Sequence, residues 1–348
     1  KYKIKSFGNN EKLRKSKGED AMKTSKTKMR LMRILEIREM GGVLPLIVGF
    51  ILFTALSDRF LSLDNMTNVL RTAAFTMICA IGECYLMIAG SFDISISSVY
   101  TLGGIVAGLA MTAGAPIWLS VLAALASGAV AGVMNGFFVQ KLNITPFIAT
   151  LGTQFMARGV VQGITRGSPV YPLPESFCVV GQDVTLLGAR VPWVVIIAVV
   201  LSVIAAFVLK FTTYGRRLYA AGGNGEAARL AGIPTSKLRF GAFILAGVTA
   251  ALTGVLMAAR LGSAQTTVGT GFEMTVIAGA VIGGIGMAGG AGSVWGVALG
   301  AFFMAMITNG MTLIGISAYW QTAVTGAILI FACSLEYFRN YLKAKLGS

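Results

Sequence analysis

From residue 41 onward the chain is dominated by long apolar runs, not by the spaced apolar rows of a surface helix. Ten runs approach the ~20 residues needed to cross about 30 Å of hydrocarbon. They lie near 41–57, 66–90, 95–112, 117–139, 147–165, 192–210, 240–260, 273–287, 292–311 and 318–338. This pattern predicts an all-α polytopic membrane protein with about ten transmembrane helices. Residues 1–40 would be a basic N-terminal tail, 41–338 the transmembrane domain and 339–348 a C-terminal tail. Met29–Met40 reads either as a short interfacial helix, with Leu31, Ile34 and Leu35 on one face, or as part of a disordered tail. The second run is the least regular, since it contains Glu83 and ends at Gly90.

Charge sets the expected orientation. Residues 1–40 hold 13 Lys/Arg against 5 Asp/Glu, a net +8. A basic segment beside a span marks the cytoplasmic side and attracts anionic lipid. With an even number of spans, both termini are then cytoplasmic. Lys141, the group Lys210, Arg216, Arg217, Arg229, Lys237 and Arg239, and the C-terminal Arg339, Lys343 and Lys345 all fall on the side this assigns to the cytoplasm. The loop 166–191 would be external and is expected to fold over the outer mouth. The basic region is too long for a cleavable signal, and the first apolar run continues as a span.

The loop 211–239 breaks the apolar pattern most sharply. Within Tyr214–Ile233, Asn224 can cap a short helix, Glu226 suits its first turn, Gly232 can end it and Pro234 prevents continuation. One reading is a helix that contacts a soluble partner; the other is a solvated loop.

An internal repeat is also visible. Phe92–Ile96 and Phe272–Val276 match in character, and 273 − 93 gives an offset of 180. At the same offset, Leu102–Gly104 matches Ile282–Gly284. The next span in each half carries GxxxGxxxG, at Gly128, Gly132 and Gly136 and at Gly292, Gly296 and Gly300. Five intervening spans would give two halves of inverted topology, a common transporter plan; chance likeness between glycine-rich spans is the alternative. The glycine rows themselves read as packing devices.

Composition narrows the chemistry. Only 12% of the 348 residues are charged, and the net charge of +15 is concentrated beside spans, which favours lipid over nucleic acid. There is no histidine, and the four cysteines form no CxxC pair, so they read as small buried apolar residues. GxxxxGK[ST], GxSxG and HExxH are absent, which leaves an enzyme reading little support. Acidic residues in or beside spans are functional candidates by default: Glu83, Asp93 and Glu273. Asp93 and Glu273 fall near span ends, where solvation lowers their cost and helix capping or pairing with Arg is the other role. Asn135, Thr150, Thr153, Gln154, Asn309 and Gln321 could line a polar path or bond between helices. Trp320 reads as an aromatic-belt residue or as a sugar-stacking platform.

Taken in order, SFDISISSVY at 91–100, NITPFIATLGTQFMARG at 143–159, YGRRLYAAGGNGEAARLAGI at 214–233, FEMTVIAGAVIGGIGMAGGAGSVWGVALGA at 272–301 and NGMTLIGISAYWQ at 309–321 carry a likeness. The chain resembles the permease subunits of bacterial ABC importers for monosaccharides of the ribose and galactose type, within the branched-chain amino acid/ribose permease superfamily. The resemblance implies a multi-pass protein of the bacterial inner membrane, working as a pair with a second copy or a paralogue. It implies an ATPase partner docking on the cytoplasmic insert, with Asn224, Glu226, Ala227, Ala228, Arg229 and Gly232 at the matching coupling positions. It also implies a periplasmic sugar-binding protein outside, ATP and Mg on the partner only, and no cofactor on this chain. Asp93, Asn135, Thr153, Gln154, Glu273, Asn309 and Gln321 are the candidates for the translocation path. Sibling permeases for autoinducer-2, nucleosides or branched-chain amino acids share this plan, and a proton-coupled secondary transporter is the competing mechanism. The chain departs from the family at Ser91, where Gly is usual, and at Gly225, where Pro is frequent and would pre-form the first helical turn.

Overall fold

The computed structural model describes residues 40–186 and 188–347. The basic tail and the Met29–Met40 segment thus fall outside the described residues, except for Met40, which begins the first helix.

Each expected apolar run coincides with a helix. They are α1 (Met40–Leu56), α2 (Leu63–Ile88), α3 (Ile96–Thr112), α4 (Ile117–Gln140) and α5 (Pro146–Thr165), then, after the long loop, α7 (Trp193–Phe211), α10 (Thr235–Leu261), α11 (Phe272–Ile282), α12 (Val294–Leu313) and α13 (Ala318–Gly347). Local chemistry explains where the ends differ from expectation. Ser62 accepts a hydrogen bond from Asn65 N–H and Asp64 sits in the first turn, so α2 starts earlier. α11 stops at Ile282 because Gly284 takes φ +92°, which an L side chain rarely adopts. The last helix does not stop at 338 but continues to Gly347.

Among the described residues, five helices are long and apolar enough to cross a membrane: α2, α4, α7, α10 and α12. Shorter apolar helices occupy Val43–Leu56, Ile96–Thr112, Phe272–Ile282 and Ala318–Ser334. α5 belongs to neither group; it carries Thr150, Thr153, Gln154, Arg158 and Gln162.

The core is built around α2 and α10, which pack on each other. Every residue of α2 from Ala73 to Ile88 is buried. α10 also packs on α3 and α4, while α2 also packs on α11 and α12. Glycines allow these approaches. A Cβ on Gly254 would stand 1.8 Å from Tyr100 O, and one on Gly128 would stand 2.3 Å from Gly247 O. In the second half, a Cβ on Gly300 would stand 1.8 Å from Gly279 O. The glycine rows are therefore backbone contact points, as their spacing indicated.

The all-helical expectation needs one correction. The loop after α5 forms a short helix α6 (Glu175–Cys178), a 3-10 turn at Val179–Gly181, and an antiparallel hairpin of β1 (Asp183–Leu186) and β2 (Ala189–Pro192). Gly188, at φ +83°, lies in the tight connection. This loop folds onto the bundle. Gly181 lies where a Cβ would meet Arg260 N at 2.3 Å, Val170 pairs with Ala264, and Arg71 on α2 forms an ion pair with Asp183. It covers the C-terminal end of α10. The insert forms α8 (Thr213–Gly223) and α9 (Gly225–Leu230), at the opposite, N-terminal end of α10. The 27 residues of α10 separate the two ends by roughly 40 Å.

Candidate functional site

Two regions concentrate the candidate residues. The first is the insert. Asn224 caps α9: its Oδ1 accepts a hydrogen bond from Ala227 N–H at 2.9 Å. Gly232, at φ +79°, ends the helix; Ile233 N–H donates to Ala228 O at 2.9 Å and Gly232 N–H donates to Arg229 O at 3.0 Å. The helix therefore forms with Gly225 in place of a proline. Ala228 is buried, while Glu226, Ala227, Arg229 and Leu230 face outward, Leu230 at 81% exposure.

The preceding helix α8, which the sequence reading did not separate, is fixed from below. Thr212 Oγ1 caps it by accepting from Gly215 N–H at 3.2 Å. Its last turn presses on the end of α2, since a Cβ on Gly222 would fall 1.8 Å from Ile88 O. That same carbonyl accepts from Gly290 N–H at 2.8 Å. Arg239 Nε donates to Ala89 O at 2.9 Å and its Nη2 to Ala221 O at 3.2 Å, while Tyr219 OH donates to Gly292 O at 2.8 Å. The insert, the end of α2 and the loop after α11 thus form one interlocked junction. Arg239, Tyr219 and Gly222 were missed as site residues; paired glycines at 222–223 and 289–290 were the available signal.

The second region lies within the bundle. Asp93 and Glu273 are both buried, at 0% and 8% exposure, so neither is solvated in the way their place near predicted span ends suggested. Each sits where an irregular segment re-enters the bundle and starts a short helix, α3 or α11. Asp93 is enclosed. Its Oδ1 accepts from Ser95 N–H at 2.7 Å and Ser95 Oγ–H at 2.6 Å, and its Oδ2 accepts from Asn135 Nδ2 at 2.9 Å. Asp93 N–H donates to Glu83 Oε1 at 3.0 Å. Glu83, Ser95 and Asn135 are themselves fully buried, so the cluster ties α2, α3 and α4 together.

Glu273 is placed by a different device. Gly269, at φ +86°, lies against Ser97 O and the Tyr100 ring, and Thr101 Oγ1 bonds Val268 O. Phe272 stacks on Tyr100 at 5.2 Å between centroids. These contacts bring Glu273 to α5, where Gln154 Nε2 reaches Ser97 Oγ at 3.2 Å and Glu273 Oε1 at 3.5 Å. A cavity of about 230 Å³ opens here, lined by Ser98, Gln154, Arg158, Gln162, Thr270 and Glu273, among others. Thr153, on the same helix, is buried, with no hydrogen-bond partner for its Oγ1. A larger cavity of about 510 Å³ lies across Thr270–Gly271 and includes Arg260, Thr308, Gln321 and Thr325.

The structure therefore does not gather the seven intramembrane candidates into one site. Asp93 and Asn135 share the enclosed cluster. Gln154 and Glu273 share the smaller cavity. Asn309 forms a reciprocal amide pair with Asn65, with bonds of 3.0 and 2.8 Å joining α2 to α12. Gln321 lines the larger cavity, and its Nε2 donates to Ile316 O at 3.0 Å. Arg158, Ser98 and Arg260 were missed by the sequence reading; the available signal was Arg158, an ionisable residue inside the expected span 147–165.

A family model described as the permease component of the branched-chain amino acid transport system matches residues 65–333. The chain belongs to this permease family. The permease is 34% identical over 301 residues to the ribose import permease protein of Escherichia coli K12, covering 86% of this chain and 94% of that one. It is also 34% identical over 293 residues to the autoinducer 2 import system permease protein of Salmonella typhi, covering 84% of each. The corresponding protein of Photorhabdus luminescens is 32% identical over 307 residues, covering 86% of the permease and 92% of the relative. No solved structure matches the permease. Membership and the apolar helices together make it a multi-pass membrane protein.

Proposed function

We propose that this permease is the membrane-spanning subunit of an ABC importer that carries a monosaccharide of the ribose or galactose type from periplasm to cytoplasm across the bacterial inner membrane. Ten spans in two inverted halves hold both termini in the cytoplasm. ATP hydrolysis takes place on a partner chain, and this chain performs no covalent chemistry. The carrying observation is the α8–α9 junction. A short capped helix offers Glu226, Arg229 and an exposed Leu230 to a partner, while the adjoining α8 packs on the end of α2 and bonds to the α11–α12 loop. Such a part can receive a push at the surface and pass it to buried helices. The opposite end, with the hairpin and the two cavities, suits delivery from a periplasmic sugar-binding protein. A second copy or a paralogue completes the membrane pair.

The equal identity to ribose and autoinducer-2 import permeases supports, as a second reading, a sibling importer for autoinducer-2. Nucleosides and branched-chain amino acids remain within the family plan. The test is a mild-detergent pull-down from native membranes, with mass spectrometry of all retained chains. A P-loop ATPase in near-stoichiometric amount is expected, and Glu226→Ala with Arg229→Ala should abolish uptake without changing membrane insertion. A chain recovered alone, with uptake that collapses together with the proton gradient, would show a secondary transporter instead.

A further inference from the structure

The smaller cavity contains groups that the protein itself leaves unpaired. Glu273 is more than nine-tenths buried, and its Oε2 has no hydrogen-bond partner among the described residues. Ser98 is fully buried, and its Oγ is likewise without a partner. Both residues line the cavity. Buried polar atoms are nearly always satisfied, and leaving one bare is costly. Glu83 Oε2 and Asn135 Oδ1 are also bare, but they lie in the enclosed Asp93 cluster, whereas Glu273 and Ser98 border a cavity with room for a solute to supply the bonds.

The remaining lining defines what would fit. Arg158 uses Nη1 to reach Thr266 O at 3.2 Å, which leaves most of its guanidinium N–H groups available. Arg158 and Glu273 line the same cavity, yet the one ion pair among the described residues is Arg71–Asp183. The cavity thus offers a strong acceptor, a strong donor, and amide and hydroxyl groups of both kinds from Gln154, Gln162, Thr267 and Thr270. A solute hydroxyl both donates and accepts, so adjacent hydroxyls can serve Glu273 and Arg158 together. An anion would be opposed by Glu273 and a cation by Arg158. An amino acid could pair its two charges here, but Phe155 is the one wholly apolar side chain in the lining, where a branched aliphatic group would need a dedicated apolar pocket. The volume of about 230 Å³ is below that of a drug-sized pocket and suits one small solute.

We infer that the cavity between α5, the start of α3 and the start of α11 is a holding station for a neutral polyhydroxylated solute, with Glu273 and Ser98 accepting and Arg158 donating bonds to adjacent hydroxyls. This rests on the importer reading and adds to it the place where the solute is held and the residues that hold it. The station lies toward the end of the bundle opposite the insert, where a solute arrives before inward release. Glu273 is a positioning group, and no bond is made or broken.

The full-length chain in lipid nanodiscs is the test material, with saturation-transfer NMR using D-ribose, D-galactose and L-leucine as probes. At least one sugar should bind, and Glu273→Ala and Arg158→Met should each weaken it about tenfold or more. Glu273→Gln, which keeps an acceptor oxygen, should recover part of the loss and so separates hydrogen bonding from packing. Thr54→Val is the control, because the Thr54 hydroxyl bonds back to Phe50 O on its own helix at 2.7 Å. A monodisperse elution profile for every variant confirms folding. The station is refuted if neither sugar binds, if sugar binding is unchanged in both cavity variants, or if L-leucine binds with the same dependence on Arg158 and Glu273. ATP-driven uptake in native vesicles tells the two readings apart. Sugar uptake that survives Glu273→Ala would remove the station and leave the importer, whereas a chain with no ATPase partner and no sugar uptake would remove the importer itself.

Discussion

Asp93 and Glu273 occupy matching places in the internal repeat, 180 residues apart, but they face different surroundings. Asp93 receives three hydrogen bonds on its carboxylate and is sealed against α4. Glu273 receives one long bond from Gln154, keeps one oxygen unpaired and borders a cavity. The neighbouring span explains much of this. In the first half, the residue before the third glycine of GxxxGxxxG is Asn135, whose amide reaches Asp93. The equivalent residue in the second half is Leu299, which has no group to donate. A repeat unit thus serves as a fastening in one half and as an open polar site in the other. Burial of an acid therefore does not by itself mark an open site, and neither does an unpaired oxygen: Glu83 is fully buried with a bare Oε2 yet lies in the enclosed cluster, whereas Glu273 borders a cavity.

The comparison can be broken at several points, taken here from the largest effect downward. Gly254→Val should do most damage, because even a Cβ would lie 1.8 Å from Tyr100 O and α10 would be driven off α3. Overpacking against backbone costs about 3 kcal/mol or more, and we expect little folded protein by fluorescence-detected size exclusion. Asp93→Ala strands the Asn135 amide and the Ser95 donors in a buried place; a loss of about 3 kcal/mol is expected in denaturant titration. Asn135→Leu imposes the second half's residue on the first and should cost about 2 kcal/mol. Glu273→Ala, measured the same way, should leave stability unchanged or raise it by about 1 kcal/mol while impairing transport, since it removes a buried atom already unpaired. Equal destabilisation by the two alanine variants would erase the distinction drawn above. Gln154→Leu should be the mildest, within about 0.5 kcal/mol, because its bond to Glu273 is 3.5 Å long.

A second contrast separates the two ends of the bundle. At the insert, paired glycines let three chain segments meet at backbone distance, and Arg239 fastens them through carbonyls. At the far end, Arg71 and Asp183 join side chain to side chain across a hairpin. The first arrangement joins its segments through backbone contacts. The second adds one partly exposed ion pair, worth ~1 kcal/mol or less, to the backbone pairing of Val170 with Ala264 and the close approach of Gly181 to Arg260.

Apolar run length by itself determined which segments are helices, because hydrocarbon thickness and the obligation to satisfy backbone groups leave helix as the local answer. The Asn224 cap and the Gly232 stop were equally legible, since capping involves residues close in sequence. The glycine rows announced close packing, but not which helix each would meet: Gly128 and Gly132 face α10, whereas Gly296 and Gly300 face α11. Tertiary structure alone decided that Asp93 would be closed off and Glu273 left open, because the deciding partners, Asn135, Gln154 and Arg158, lie 42 residues from Asp93 and more than 100 residues from Glu273. Hydrogen-bond saturation depends on which side chains arrive in space, and no local pattern of residue types carries that information.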